Sequence, residues 1–265
     1  MPLVFAGISP HPPVLIPEIG KENLTKLAET KPALETLEKE LYAAKPDSLL
    51  VISPHGKILE DSFSINLSAD YNASFKEFGD FSLSLKFKSD YLSIQEIRAG
   101  DETNKVVPIV LTSEPEIDHG SAVPLYYLLQ HLKDLPIIPI TPCALSYSEH
   151  FKFGQFLYQQ LSRLDKRYGV IASGDLSHKL TKDTPAGYSA KGAEFDKKLV
   201  DLIAKKDIQG ILNLDPKLIG EASECGLRSI IVLLGIIDTI NVVPEVLSYE
   251  GPFGVGYAVV NFKFQ

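Results

Sequence analysis

The chain has 265 residues, 45% of them hydrophobic and 23% charged, a balance that supports a large globular core. Its 26 Lys and Arg stand against 34 Asp and Glu, for a net charge of −8 without any basic cluster, which argues against a nucleic-acid partner. Two unpaired cysteines, Cys143 and Cys225, argue against a disulfide scaffold or a Cys-rich zinc site and for a reducing cytoplasm, and no apolar run approaches the ~20 residues of a membrane span.

The first element is the apolar run Val4-Phe-Ala-Gly-Ile-Ser-Pro-His-Pro-Pro13. It has no basic leader, and His11 and three prolines interrupt it early, so it reads as a strand and not as a signal peptide. Leu49-Leu-Val-Ile-Ser-Pro-His-Gly56 repeats the pattern. Proline lacks an N–H and ends ladder pairing, so His11 and His55 are placed in loops just past strand ends. In an open α/β sheet that edge is where ligands bind.

Between these strands, Leu24, Leu27, Leu34, Leu37 and Leu41 have helical spacing, with a kink or break expected at Pro32. Phe63-Ser-Ile-Asn-Leu and Phe81–Lys88 alternate with a period of two, as strands with one wet face do. Val106–Leu111 reads as a buried strand, followed closely by Asp118-His119-Gly120. A helix over Ser121–Leu132, a strand over Pro136–Thr141 and a helix over Ser146–Arg163 come next. Tyr168–Ala172 is a strand that runs into Ser173-Gly-Asp-Leu-Ser-His178. Helices over Gly192–Ala204, Asp207–Leu212 and Cys225–Gly235, then strands over Val242–Ser248 and Gly256–Phe262, close the chain. This alternation predicts one α/β domain spanning residues 1–265, with a mostly parallel or mixed central sheet flanked by helices.

Of six histidines, His11, His55, His119 and His178 each follow a predicted strand, whereas His131 and His150 read as surface or capping residues. A single histidine after a strand is usually a hydrogen-bonded loop residue; four aimed at one sheet edge point to a site. A divalent metal uses several neutral imidazoles at once. Two histidines and a carboxylate leave positions open for substrate and dioxygen, as in non-heme Fe(II) oxygenases; with zinc and a bound water the same set makes a hydrolase. Glu221, Glu224 and Asp175 are the carboxylates placed to complete the set, although Glu224 also suits ordinary charge at a helix N-terminus.

The order of these motifs resembles the LigB-type class III extradiol dioxygenases and their Memo-like relatives. The resemblance rests on Ser9-Pro-His11-Pro, Ser53-Pro-His55-Gly, Asp118-His119-Gly-Ser-Ala-Val-Pro-Leu125, Ser173-Gly-Asp175-Leu-Ser-His178, Glu224-Cys225-Gly-Leu-Arg-Ser229 and Gly254-Val-Gly-Tyr257. It implies that His11 and His55 bind iron, with Glu224 as the third ligand, or Cys225 if the chain follows the Memo-like branch. Neighbouring helical positions point about 100° apart, so only one of the two is expected to ligate. It further implies that His119 supports the site, and that His178 is the acid or base near bound substrate, with Asp175 close by.

The function so implied is Fe(II)-dependent extradiol cleavage of a catechol-like aromatic diol by O2. The alternatives are a metal-binding or partner-binding protein of the same fold without ring cleavage, and a zinc hydrolase. A second copy of the chain or a small separate subunit is the partner that the resemblance allows for, with no role for nucleic acid or membrane.

Overall fold

The computed structural model describes residues 2–104 and 107–265. Its strands are β1 (Leu3–Ser9), β2 (Ser48–Ile52), β3 (Phe63–Asn66), β4 (Asp70–Phe75), β5 (Asp80–Lys88), β6 (Ile109–Thr112), β7 (Ile137–Thr141), β8 (Tyr168–Ser173), β9 (Val242–Glu250) and β10 (Tyr257–Phe264). All but β4 and β5 form one mixed sheet in the order β6-β3-β7-β2-β8-β1-β10-β9. The four central strands, β7, β2, β8 and β1, are parallel. Antiparallel pairing begins at β3 on one side and at β10 on the other. The mixed α/β architecture read from the alternation is the one present.

The helices are α1 (Pro17–Gly20), α2 (Thr30–Ala44), α3 (Tyr91–Asn104), α4 (His119–Leu128), α5 (Tyr147–Leu161), α6 (Ala190–Ala204), α7 (Ile208–Leu212), α8 (Pro216–Ala222) and α9 (Leu227–Ile236). They cover both faces of the sheet, and the period of two along β2 divides its side chains between them. Leu49 and Val51 join Leu34, Leu37 and Leu41 of α2 and Leu125 of α4. Leu50 and Ile52 join Phe153 and Leu157 of α5 and Ile230 and Leu233 of α9. Every residue of β2, β7 and β8 is buried, as parallel strands with both faces covered require. No helix among the described residues is long and apolar enough to cross a membrane.

Several elements depart from the sequence reading. Pro32 neither kinks nor splits a long helix. A 3-10 segment, Lys21–Lys26, comes first, and α2 starts at Thr30 with Pro32 in its first turn, where the missing N–H is tolerated. Phe63–Asn66 is a buried strand between β6 and β7, without the expected wet face. The strand expected to be buried around Val106–Leu111 is the sheet's edge strand β6, with Val110 41% exposed; Val106 itself lies outside the described residues. Phe81–Lys88 lies in β5, which pairs with β4 as a separate two-stranded hairpin. Helices α3 and α8 and strand β4 had no counterpart in the sequence reading.

Candidate metal centre

The centre sits at the carboxyl edge of β1, β2 and β8, three neighbours in parallel register, with Ser9 opposite Ser173 and Ile52 opposite Ala172. Each strand ends at, or one residue before, a serine: Ser9, Ser53 and Ser173. The Pro-His pairs that follow β1 and β2 then turn their imidazoles inward over the same strand ends.

His11 is 2% exposed. Its backbone N–H donates to Asp175 Oδ1 at 2.9 Å, and its Nδ1 lies 2.8 Å from Ser173 Oγ. The Ser173 hydroxyl donates to the Gly120 carbonyl, so its oxygen is left to accept from His11 Nδ1–H. That fixes the tautomer and turns the Nε2 lone pair into the site. Nε2 lies 3.0 Å from His55 Nε2, 3.5 Å from Cys225 Sγ and 3.9 Å from Asp175 Oδ2.

His55 is held from the other side. Its N–H donates to Ser53 Oγ at 3.3 Å, and Ser53 donates in turn to Asp118 Oδ1. Asp118 caps α4, accepting from the N–H and the hydroxyl of Ser121, both at 3.0 Å. The cap sets His119 as the first helical residue, stacked on His55 with centroids 4.4 Å apart. His119 does not reach this edge as a strand-end residue. β6 runs opposite to β2, and residues 113–118 carry the chain back to the site.

His178 follows β8. Its backbone N–H donates to the Ala222 carbonyl at 3.1 Å, while its buried Nε2 has no hydrogen-bond partner among the described residues. Burial is the main force holding all four imidazoles below the ordinary histidine range; for His11 the nearby His55, His119 and His178 add to it. The cluster is therefore neutral near pH 7, the state in which imidazole offers a lone pair. Burial also pushes Asp175 up to about 7, against the pull of the His11 N–H.

The helix read from Cys225, with Glu224 just ahead of it, starts later. α9 begins at Leu227, and both lie in the turn before it. The Cys225 and Gly226 N–H groups donate to the Asp175 carbonyl at 3.4 and 3.0 Å. The two segments touch through glycine, since a Cβ on Gly174 would lie 2.2 Å from Gly226 Cα. This contact brings the Cys225 thiol to His11. Among the described residues, the ligand atoms of His11, His55 and Cys225 all lie within 4.8 Å of one another.

Glu224 does not join that group. Its carboxylate accepts from Leu227 N–H at 2.6 Å at the start of α9, and burial raises it to about 7. Glu221 is exposed on α8, where it accepts from Ser189 Oγ at 3.2 Å. Burial, with Asp175 nearby, also pushes the Cys225 thiol well up, a direction that a divalent cation at the site would reverse. The converging lone pairs and their spacing fit a cation with ~2.1 Å nitrogen and ~2.3 Å sulfur bonds. Both cysteines are free thiols.

Two cavities open on either side of His55. A cleft of ≈ 560 Å³ runs past His119 to Glu77 and Phe78 of the β4–β5 hairpin, with the Phe78 ring 5.1 Å from that of His119. A pocket of ≈ 400 Å³ runs past Cys225 to Glu224 and Arg228 between the apolar walls Ile58 and Pro142. Of the histidines set apart as surface or capping residues, His131 is exposed and pairs with Glu38 at 2.8 Å. His150 is not at the surface. It is fully buried in α5, with its ring edge-on to Phe63 at 4.9 Å. Ser173, Ser53 and Asp118 escaped the sequence reading as supporting residues, although a serine at each strand end was the available signal.

Residues 6–260 match the family model described as the catalytic LigB subunit of aromatic ring-opening dioxygenase. The chain is 35% identical over 263 residues to Protein CA_C1420 of Clostridium acetobutylicum, across 96% of this chain and 56% of that protein. It is 29% identical over 178 residues to the 4,5-DOPA dioxygenase extradiol of Beta vulgaris, across 63% of each. The chain thus spans between half and two thirds of the length of these curated relatives. The crystal structure of the uncharacterized protein JW3007 from Escherichia coli K12 has the same fold, with a TM-score of 0.63 over 97% of this chain and 99% of that one, at 13% identity.

Proposed function

This chain belongs to the LigB family of aromatic ring-opening dioxygenase catalytic subunits, and on that premise we propose that it is a non-heme Fe(II) extradiol dioxygenase acting on a catechol-like diol. The observation that carries the reading is the pair of inward-facing imidazoles, His11 and His55, with Nε2 atoms 3.0 Å apart and two further histidines beside them. His11, His55 and Cys225 would hold the ion. Bound there, Fe(II) would supply coordination of the diol oxygens and the electrons that activate O2. In the overall reaction the ring C–C bond beside the diol breaks, and both atoms of O2 end in the ring-opened product.

The chain's own residues supply the rest. His178 Nε2, buried and without a partner among the described residues, is free to take the proton that a bound diol must lose, and its neutrality at pH 7 suits that role. Ser173 and Ser53 hold His11 and His55 in place, and buried Asp175 ties the His11 loop to the Cys225 turn. The test is anaerobic loading with Fe(II), followed by exposure to air with a panel of catechols. Oxygen uptake and a yellow ring-opened product are expected. His178→Ala is expected to retain iron and slow turnover by ~10²–10⁴. Iron-loaded protein that opens no diol would refute the reading.

One observation favours a second reading. The third converging ligand is the thiol of Cys225, not a carboxylate. Thiolate suits zinc as well as iron, and a thiol beside an O2-activating metal is open to oxidation. A metal-binding protein of the same fold without ring cleavage would bind zinc more tightly than iron and consume no oxygen.

A further inference from the structure

The histidines of the centre are not held alike. Ser173 Oγ accepts the Nδ1–H of His11 and Ser53 Oγ holds the His55 backbone, whereas His178 Nε2 has no hydrogen-bond partner among the described residues. The position of the His178 ring therefore follows from the backbone that carries it. That backbone is pinned at Ser177, which is fully buried. Ser177 N–H donates to Asp196 Oδ1 at 2.7 Å, and its carbonyl accepts from Gly256 N–H at 2.9 Å. Its hydroxyl donates to the Ala222 carbonyl and accepts from Lys179 N–H, both at 3.0 Å.

Asp196 is the member of this set that a packed core does not call for. It is fully buried on α6, the helix whose Phe195, Leu199 and Ile203 lie in the core. A carboxylate in such surroundings costs stability unless its oxygens are paired. Burial pushes it up to about 6, so at pH 7 it is still ionised. Two neutral donors hold the charge: Ser177 N–H on Oδ1, and the Tyr249 hydroxyl of β9 on Oδ2 at 2.7 Å. Burial, with Asp196 close by, raises the Tyr249 phenol, which keeps its proton to donate. Glycine makes the room on both sides. A Cβ on Gly256 would lie 2.1 Å from Asp196 Oδ2, and one on Gly192 2.4 Å from Ser177 Oγ.

We propose that Asp196 is a positioning residue: it clamps Ser177 between α6 and β9 and thereby sets where the His178 imidazole stands at the centre, without itself touching metal or substrate. The inference rests on the reading of His178 as the group that takes the diol's proton, and adds what aims it. A general base acts only within hydrogen-bond reach of the proton it removes, and a misplacement of about 1 Å can cost ~10²-fold in rate. Without the carboxylate, Ser177 N–H is a buried donor with no acceptor, and the peptide leading into His178 must turn to find one.

The test is a double-mutant cycle on Fe(II)-loaded protein with catechol as the probe. Asp196→Ala is expected to lower kcat by about 10–100-fold and to leave KM and Zn(II) affinity unchanged. In the His178→Ala background the same substitution is expected to slow turnover by less than about twofold, because the group it aims is gone. Asp196→Asn, whose side-chain oxygen can still accept from Ser177 N–H, is expected to recover most of kcat. Asp90→Asn is the control. Asp90 is another buried carboxylate, bonded to Lys166 and Ser93 at 2.7 and 2.6 Å at the amino edge of the sheet, and its replacement should lower Tm without changing kcat. In parallel, the His178 ring resonance, assigned through His178→Ala, is followed by NMR in the metal-free protein; Asp196→Ala should move it and Asp90→Asn should not. Additive effects in the cycle, or an unmoved His178 resonance, would overturn the proposal. If catechol is opened but the cycle is additive, the clamp fails and ring opening stands. If no diol is opened while the resonance moves in Asp196→Ala alone, ring opening fails and the positioning role stands. Should Asp196→Ala fail to fold, as judged by its melting curve, Tyr249→Phe removes the donor to Oδ2 and is read in its place. A smaller move of the same resonance is then expected, with a smaller loss of kcat that vanishes in the His178→Ala background, and no change in either would overturn the proposal.

Discussion

Ser173→Ala removes a single hydroxyl and tests the way the centre holds its first imidazole. Ser173 is fully buried, accepts from His11 Nδ1–H at 2.8 Å and donates to the Gly120 carbonyl. Without it, His11 Nδ1 has no partner, and the ring no longer prefers the tautomer that faces Nε2 into the site. Leaving a buried donor unsatisfied costs about 1–3 kcal/mol of stability. Losing the partner of a metal-ligating histidine typically weakens metal binding by about 10–100-fold. The assay is competitive titration of Zn(II) and Fe(II) into metal-free protein, with the His11 tautomer read from side-chain ¹⁵N shifts. Wild type should show Nδ1–H at His11, and Ser173→Ala a mixture. Metal affinity within about twofold of wild type would refute the argument, as would an Nε2–H tautomer in the unsubstituted protein.

Cys225→Ala should abolish tight metal binding, whereas Glu224→Ala should lower the melting temperature through the lost contact with Leu227 N–H and retain the metal; the reverse pattern would restore the carboxylate as third ligand. Gly174→Ala places a methyl 2.2 Å from Gly226 Cα, so the Cys225 turn must shift; a loss of about 1–3 kcal/mol, together with weakened metal binding, is expected from calorimetry and titration. His150 is fully buried and held at about 4 by burial, below its unfolded 6.5, so the native state binds fewer protons and stability falls as pH drops from 6.5 towards 4. That penalty amounts to about 3 kcal/mol, and in urea titrations the acid sensitivity of His150→Leu should be smaller than that of wild type by a similar amount.

Much of the fold was legible because parallel strands covered on both faces leave an unmistakable trace. Leu49–Ile52 and Tyr168–Ser173 are apolar without interruption and stop at a serine. The sheet's far side was harder to read. Phe63-Ser-Ile-Asn alternates because Ser64 faces inward, where its hydroxyl donates to the Lys57 carbonyl at 2.9 Å. A buried serine satisfied by backbone has the same period as one facing water. Helix α3 escaped for the opposite reason. Tyr91-Leu-Ser-Ile-Gln-Glu-Ile buries only part of its surface and leaves Tyr91 and Leu92 exposed, so its apolar residues define no single face.

The third ligand shows where a sequence argument reaches its limit. The reasoning from helical phase assumed that Glu224 and Cys225 were already helical, and then only rotation about one axis would choose between them. Both lie one turn earlier, where the choice is made by a contact between segments 50 residues apart. Gly226 packs on Gly174, the Asp175 carbonyl accepts from the Cys225 and Gly226 N–H groups, and the thiol is carried to within 3.5 Å of His11. Glu224 then falls to the free N–H of Leu227 at the start of α9. Both glycines were visible in Ser173-Gly-Asp and Glu224-Cys-Gly, but nothing in either triplet says that they meet. One backbone contact therefore decides which of the two side chains faces His11, and a substitution at Gly174 should disturb that placement.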